Sequence, residues 1–194
     1  MAKKPLRPRP RDAEQTRADI LRAARIAFAT LGYTQAGIRD IAREAGITAA
    51  LVVRYFGSKR ELFLAAIATD VGLAGFLDDA RETLGQRTVQ YLMTKPIHEA
   101  DTLSMMLLGA ADEEIRELST KHLRETFTRP LAKWLGGPGA EARAVLILSL
   151  ISGIWTFRVL LPIKPLAGAP DAAVTSALAS MLQHLVDGTG DPKD

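Results

Sequence analysis

Apolar residues spaced three and four positions apart are the feature that most limits what this chain folds into. They recur along the whole sequence, and the first set, Ile20, Ala24, Ala27, Phe28 and Leu31, would form one face of an α-helix. No run of alternating apolar and polar residues is bounded by Asn-Gly or Asp-Gly turns, so strands are not expected. The sequence therefore predicts an all-α protein with about nine helices.

Local start and stop signals predict where these helices lie. Asp12, with Gln15, is a cap for the first helix, which ends at Gly32 because a glycine commonly follows the last periodic residue. Thr48 and Ser58 are caps for the third and fourth helices. Pro130 should kink the seventh helix because it removes a backbone donor. The predicted helices are 12–32, 38–45, 48–55, one starting at 59, 86–93, 100–110, 113–135, 140–161 and 171–186.

Charge is distributed unevenly along the chain. Residues 1–66 contain 13 Lys and Arg against 6 Asp and Glu, a net charge of +7, whereas the remaining 128 residues contain 12 against 16, a net of −4. A basic first third joined to an acidic remainder indicates a nucleic-acid-binding module attached to something else. Charge alone leaves open the alternative that the basic surface only keeps the protein in solution.

Several classes of site and location are disfavoured. The chain has no cysteine, which excludes disulfides, thiolate catalysis and cysteine-ligated zinc. His98, His122 and His184 lack the spacing of a metal site, so no metal or cofactor is expected. The longest uncharged apolar run, 144–157, has 14 residues, short of the roughly 20 that a membrane span needs. The basic N-terminus is followed by no apolar stretch, so we expect a cytoplasmic protein with no membrane partner.

Two short helices around Gly46 lead to the main functional hypothesis. Gly46 adopts positive φ without steric cost, and Ala42 is small where the two helices would cross. A short helix, a glycine-containing turn and a second short helix, packed on a longer helix, is the helix-turn-helix arrangement. The second short helix would then present one face to a DNA major groove about 12 Å wide. A plain helical hairpin has the same spacing, so this pattern alone leaves both interpretations open.

A longer stretch, ILRAARIAFATLGYTQAGIRDIAREAGITAALVVRYFGSKRELFLAAI, resembles the DNA-binding region of the TetR family of transcriptional repressors. The matching positions are Gly32-Tyr33, Ile38-Arg39-Asp40-Ile41-Ala42, Ala45-Gly46-Ile47, and Tyr55-Phe56 followed by Gly57-Ser58-Lys59 and Leu62. Residues 157–185 also resemble the end of one type of ligand-binding region in that family. The resemblance implies a dimeric, ligand-responsive repressor of a palindromic operator, released by a small apolar effector. The chain departs from the family at Ala36 and Gly37, where a hydroxyl cap is common, and at Val53, where a tyrosine is common.

The outer face of the third helix provides the candidate DNA contacts. With Val52 turned inward, Ala50, Val53 and Arg54 point away from the core. Apolar side chains read the C5-methyl of thymine in the major groove, whereas arginine binds guanine or phosphate. Thr48, Tyr55 and Lys59 should hold phosphates. The predicted DNA contacts are Arg39, Thr48, Ala49, Ala50, Leu51, Val53, Arg54, Tyr55 and Lys59.

The last two predicted helices carry more apolar surface than a helix with one solvent face would need. A contact between two copies of the chain explains this better than an intramolecular core alone, and its expected residues are Ser149, Gly153, Leu178, Met181, Leu182 and Leu185. The resemblance implies a small-molecule pocket as well. Residues of these types are more often plain core than ligand-lining, and the candidates are Phe76, Tyr91, Met105, Met106, Phe127, Trp134 and Trp155.

The predicted organisation is a flexible basic arm (1–11), a helix-turn-helix DNA-binding domain (12–66) and a helical ligand-binding and dimerisation domain (67–194). Two other functions are weighed against a DNA-binding regulator. One is a helical adaptor that binds a peptide, against which the basic first third argues. The other is an enzyme, which the sequence disfavours because it has no glycine-rich phosphate loop, clustered His/carboxylate set or G-x-S-x-G element.

Overall fold

The computed structural model describes residues 10–69, 77, 80–94, 101–169 and 171–188. Within these ranges the chain forms ten α-helices and no strand. The helices α7 and α8 are one helix interrupted by a π-helical turn, so the expected all-α fold of about nine helices is confirmed. The helices are α1 (Pro10–Gln35), α2 (Ile38–Glu44), α3 (Ala49–Phe56), α4 (Lys59–Ile67), α5 (Leu84–Thr94), α6 (Thr102–Gly109), α7 (Glu113–Leu123), α8 (Arg129–Leu135), α9 (Ala140–Trp155) and α10 (Ala172–Asp187).

The structure tests the predicted start and end of the first helix and the kink expected at Pro130. The helix α1 begins at Pro10 rather than at Asp12, so the last two residues of the predicted arm are helical and the rest of it lies outside the described residues. At Gly32 the backbone has φ 72° and ψ 170°, a non-helical conformation that breaks the helix where the sequence predicts its end, and α1 includes the helical residues on both sides of this break. The kink expected at Pro130 appears as a π turn over Arg124–Thr128, directly before the proline. Pro130 lacks the N–H that would bond to the carbonyl of Thr126.

The described residues group into two compact units, and the first contains residues up to 69 together with 101–118. Its core includes a cluster of three rings, in which Phe28 contacts both Tyr33 and Phe63. The helices α1 and α6 pack closely because Gly32 has no side chain. A Cβ at this position would lie 2.9 Å from the carbonyl oxygen of Leu108. The sequence-based domain bounds remain predictions.

The second unit contains Leu77, residues 80–94 and the described chain from Ser119 onward. Its α5 and α10 touch at Gly85, where a Cβ would lie 2.7 Å from the backbone nitrogen of Gln183. The amide of Gln183 completes this contact, since its Oε1 accepts a hydrogen bond from Gly85 N and its Nε2 donates one to Arg81 O. Leu182 and Val186 of α10 are buried in the same core.

The stretch Ala140–Leu160, which includes α9, is long and apolar enough to cross a membrane by length and composition. The 14-residue count made from the sequence did not anticipate this. Arg143 and Arg158 lie within the stretch and donate hydrogen bonds to backbone carbonyls of the same unit. We therefore interpret it as a helix of this unit with an exposed apolar face, on which Val145 and Leu146 are about half exposed.

Candidate nucleic-acid interface

The turn between α2 and α3 is closed entirely by its own backbone. The N–H of Ile47 bonds to the carbonyl of Ala42 at 2.9 Å, and the N–H of Gly46 bonds to that of Arg43 at 3.1 Å. This pair of bonds is the Schellman motif, which requires a left-handed residue, and Gly46 has φ 67°. The turn predicted from the glycine is therefore present. It orients α3 without help from side chains.

The helix α3 is fixed at both ends and along its inner face. Thr48 caps it, because its hydroxyl oxygen accepts a hydrogen bond from the N–H of Leu51 at 3.3 Å. Val52 and Phe56 are buried. The guanidinium of Arg17, on α1, lies over the ring of Phe56, 5.0 Å from its centroid. A helix of eight residues is unstable alone, so these contacts are what keep it folded.

The outer face of α3 carries the side chains expected to contact DNA. Ala50, Val53 and Arg54 are exposed, and Val53 retains 45% of its accessible surface, so its side chain is available for contact with a thymine methyl group. Arg39 on α2 and the cap Thr48 are exposed as well. The other predicted contacts are half-buried at the sides of this face, namely Ala49, Leu51, Tyr55 and Lys59.

Lys59 opens α4 and is held against the protein. Ser58 caps this helix, its hydroxyl oxygen accepting from the N–H of Glu61 at 3.2 Å. The ammonium of Lys59 donates to the carbonyl of Thr34 at 3.2 Å and lies 4.5 Å from the ring centroid of Tyr33. Burial lowers the pKa of Lys59, and the negative charge of Asp112 opposes this shift. Burial raises the pKa of Tyr33, reinforced by Asp112.

Two arginines near this face are already paired, and two are not. Arg43 pairs with Asp40 at 2.6 Å, and Arg60 Nε lies 2.5 Å from Glu114 Oε1 in an ion pair that is not aligned as a hydrogen bond. Within the described residues, Arg39 and Arg54 have neither an ion pair nor a hydrogen bond. Sequence reasoning missed the contacts of Lys59 with residues 33 and 34 and the Arg60–Glu114 pair, because contacts between distant segments leave no periodic signal.

The predicted dimer residues are not all on the surface. Ser149 and Met181 are exposed, with Met181 retaining 56% of its accessible surface, and Gly153, Leu178 and Leu185 are half-buried. Leu182 retains only 1% of its accessible surface within its own unit, so its assignment is corrected from the interface to the core. The predicted interface residues on α10 therefore included one residue that is already buried inside the unit. On α9, Val145 and Leu146 are also exposed apolar residues.

The predicted pocket residues differ in burial. Met105, Met106 and Trp155 are buried core residues, Tyr91 is exposed, and Phe127 and Trp134 are half-buried; Phe76 lies outside the described residues. A groove of about 730 Å³ lies between α5 and α10, lined by Glu82, Gln86, Gln90, Ala172, Thr175, Ser176, Ala179, Ser180 and Gln183. The pocket assignment stays a prediction. The described residues contain no group of three or more potential metal ligands.

Comparison with known proteins matches both parts of the chain. Residues 20–66 match the model for bacterial regulatory proteins of the tetR family, and residues 82–186 match the model for the tetracyclin repressor-like C-terminal domain. No curated protein matches the sequence.

Solved structures of similar fold cover nearly the whole chain. A TetR-family regulator from Streptomyces coelicolor is 27% identical, with 94% of this chain and 99% of that chain covered and a TM-score of 0.56. A transcriptional regulator from Saccharomonospora viridis, solved in complex with choline, is 21% identical over 91% of this chain and 97% of its own, with a TM-score of 0.63. A TetR-family regulator from Cytophaga hutchinsonii has the same fold at 14% identity, a TM-score of 0.68, and coverage of 98% and 100%.

The second family model alone spans more than half of the 194 residues, and the first covers the helix-turn-helix whose geometry is described above. The chain belongs to the TetR family of bacterial transcriptional regulators, with an N-terminal helix-turn-helix that binds DNA.

Proposed function

We propose that this protein is a cytoplasmic, dimeric transcriptional repressor that binds a palindromic operator and is released by a small apolar effector. The observation that best supports the proposal is the outer face of α3. Ala50, Val53 and Arg54 are exposed there, on a helix that is capped at its start and buried along its inner face. A helix so held presents the same side chains to every duplex it meets. This is what sequence-specific reading in the major groove requires.

The apolar residues of this face set the expected kind of base recognition. Ala50 and Val53 offer no hydrogen bonds, so they favour thymine through its methyl group. A bidentate arginine–guanine contact discriminates by about 1–3 kcal/mol, more than one methyl contact, so Arg39 and Arg54 supply much of the remaining selectivity. Neither arginine has an ion pair with any residue that the structure describes, which supports this role because no such pair has to break when DNA binds.

Selection of bound duplexes from a random pool tests the proposal directly. A palindromic consensus containing thymines and at least one guanine per half-site is the expected result. Enrichment of no sequence would contradict a specific regulator and favour a protein that binds DNA only through phosphates.

Uracil scanning of the selected site then tests the methyl contact. Replacing the thymine that faces Val53 by uracil removes one methyl group and should weaken binding by roughly 1 kcal/mol, since burying a methylene-sized group contributes about 0.8 kcal/mol. The penalty should vanish in Val53→Ala, where the methyl lacks its contact. If no uracil in the half-site changes the affinity, bases are read by the arginines or by DNA shape.

Dimerisation is supported by the apolar surface of α9 and α10, where Leu146 and Met181 are each more than half exposed. A two-fold dimer would place two α3 helices in successive major grooves, about 34–36 Å apart. Light scattering at micromolar concentration should give twice the mass of one chain. A monomer would contradict the palindromic operator as well as the dimer.

Release by an effector is supported by the match of residues 82–186 to a tetracyclin repressor-like domain and by the choline complex of the Saccharomonospora viridis relative. Linkage requires that an effector which weakens operator binding is itself bound more weakly by the operator complex, by the same factor. Titration of small aromatic and aliphatic compounds against the protein–operator complex tests this. Unequal factors would show that the compound acts by another route.

A further inference from the structure

We propose that Tyr33 is a positioning residue for DNA binding: its ring, with the carbonyl of Thr34, holds the ammonium of Lys59 where it meets a DNA phosphate. The inference rests on the proposed function, because it requires Lys59 to contact DNA.

The first step concerns the surroundings of the ammonium. Lys59 Nζ lies over the Tyr33 ring, 4.5 Å from its centroid, and 3.2 Å from the carbonyl oxygen of Thr34. A cation within about 6 Å of an aromatic face is attracted by the negative charge of that face. An ammonium has three N–H donors, so one bond to Thr34 leaves donors for a phosphate. The contact therefore restrains the group without using it up.

The second step is that the ring itself is fixed. Tyr33 stacks on Phe28 with centroids 6.0 Å apart and meets Phe63 edge-on at 5.5 Å. Gly32, immediately before it, has φ 72° and lies against the Leu108 carbonyl, so the backbone that carries the ring is held as well. A long, flexible lysine side chain thus lies on a rigid support.

The third step is the advantage for binding. Ordering a long side chain at an interface opposes association by roughly two- to ten-fold in affinity. A lysine already ordered in the free protein avoids part of this loss. Lys59 is half-buried, so its side chain packs on the protein in the absence of DNA, and this burial lowers its pKa. The neighbouring Arg60 is less suited to the role because Glu114 already pairs with it.

The test uses the full-length protein and a fluorescent duplex of mixed sequence, with affinity measured by anisotropy at several salt concentrations. Lys59→Ala should weaken binding and lower the salt slope by about one unit. Tyr33→Phe, which keeps the ring, should bind like the unmodified protein, whereas Tyr33→Leu should bind about three-fold more weakly. In the Lys59→Ala background, Tyr33→Leu should have no further effect.

A second set of variants avoids any loss of packing at residue 33. Phenylalanine with increasing numbers of fluorine atoms at this position keeps the ring shape but withdraws negative charge from its face. Affinity for the duplex should fall stepwise with fluorine number when Lys59 is present and stay constant in Lys59→Ala.

Each of the following results would overturn the inference. Unchanged affinity across the series would show that the ring does not order Lys59 for DNA, and tighter binding would show that the ring competes with the phosphate. Equal loss in both backgrounds would show that Tyr33 acts only through folding. Lys59→Ala with unmodified affinity and salt slope would overturn this inference while leaving DNA binding intact. Absence of binding by the unmodified protein would overturn the proposed function too.

Discussion

The two units of the molecule close their helix ends in different ways. In the first unit, most closure is local: Thr48, Ser58 and Asp112 each accept an N–H from the residue three positions later, Gly46 closes α2, and one distant arginine, Arg25, donates to the carbonyl of Ala66 in the last turn of α4. In the second unit, Asp171 caps α10 in the same local way, but two arginines from other segments bind the carboxyl ends of α8 and α10. Arg81 donates to the carbonyls of Leu135 and Val186, both at 2.9 Å.

A second arginine repeats this arrangement in the same unit. Arg143 donates to the carbonyl of Gly136 at 2.5 Å and to those of Leu185 and Val186 at 3.2 Å. Helix carboxyl ends carry unpaired carbonyls and partial negative charge, so a guanidinium is a favourable partner there. Helix ends bonded by nearby residues leave the outer faces of the first unit free to bind a ligand. Helix ends bonded by distant arginines join separate segments of the second unit into one body.

The largest expected effect tests long-range closure. Arg81→Met should lower the free energy of unfolding of the second unit by about 3 kcal/mol, because hydrogen bonds to charged groups contribute about 1.5–3 kcal/mol each and the part-buried carbonyls of Trp134 and Leu135 lose their arginine donor. The measurement is thermal unfolding followed by circular dichroism. Arg129→Met, at an exposed position of α8, is the matched control and should change little. Equal destabilisation by both would show that the arginine bonds contribute nothing specific.

The next prediction separates the monomer from the dimer. A Cβ at Gly153 meets no atom within 4 Å, so Gly153→Leu should leave each unit folded, even stabilised by up to about 1 kcal/mol through helix propensity. At a close helix contact between two copies, the same side chain should weaken dimerisation by about 2 kcal/mol, roughly 30-fold, in sedimentation equilibrium. Gly85→Ala is the contrasting variant, since its Cβ overlaps the Ala179 carbonyl and should destabilise the fold itself. An unchanged dimer in Gly153→Leu places the interface elsewhere.

A smaller effect tests local closure. Ser58→Ala removes the cap of α4 and should lower the free energy of unfolding of the first unit by about 1 kcal/mol. Ser180→Ala is the control, because Ser180 lies inside α10, is exposed and bonds only to the carbonyl of Ser176. Its effect should be near zero. Hydrogen exchange measured at increasing denaturant gives the free energy of unfolding of each unit separately. If Ser58→Ala lowered the stability of the second unit, the cap at Ser58 would not act only on its own unit.

The smallest effect concerns the ion pair beside Lys59. Glu114→Gln removes the acidic partner of Arg60 and should raise affinity for a mixed-sequence duplex by about two-fold, with a slightly steeper salt dependence. Glu113→Gln removes the same charge one residue away, where the carboxylate lies 3.9 Å from Arg116 instead, and should have less effect. Equal effects of the two variants would show that only net charge matters.

The difference between contacts of nearby residues and contacts of distant residues also explains which features could be predicted from the sequence. The third and fourth helices and the turn at Gly46 were predicted because their signals lie within a few residues of the structure they produce. The support of α10 by Arg81 was not, since the two partners are 105 residues apart. Leu182 and Met181 are equally apolar, and only the packing of α5 on α10 decides that one is core and the other exposed. The positions of α3 side chains followed from helical geometry, whereas the partners of Lys59 required the folded chain.

The self-contained closure of α3 has a consequence for how binding specificity evolves. Its caps, its turn and its buried residues Val52 and Phe56 use none of the outward side chains, so we expect substitutions of Ala50, Val53 and Arg54 to change stability little. Substitutions at these positions change what the protein recognises without first having to preserve its fold. A gene duplicate would therefore be able to acquire a new operator by few mutational steps, and a library varied at these three positions would consist mostly of folded proteins.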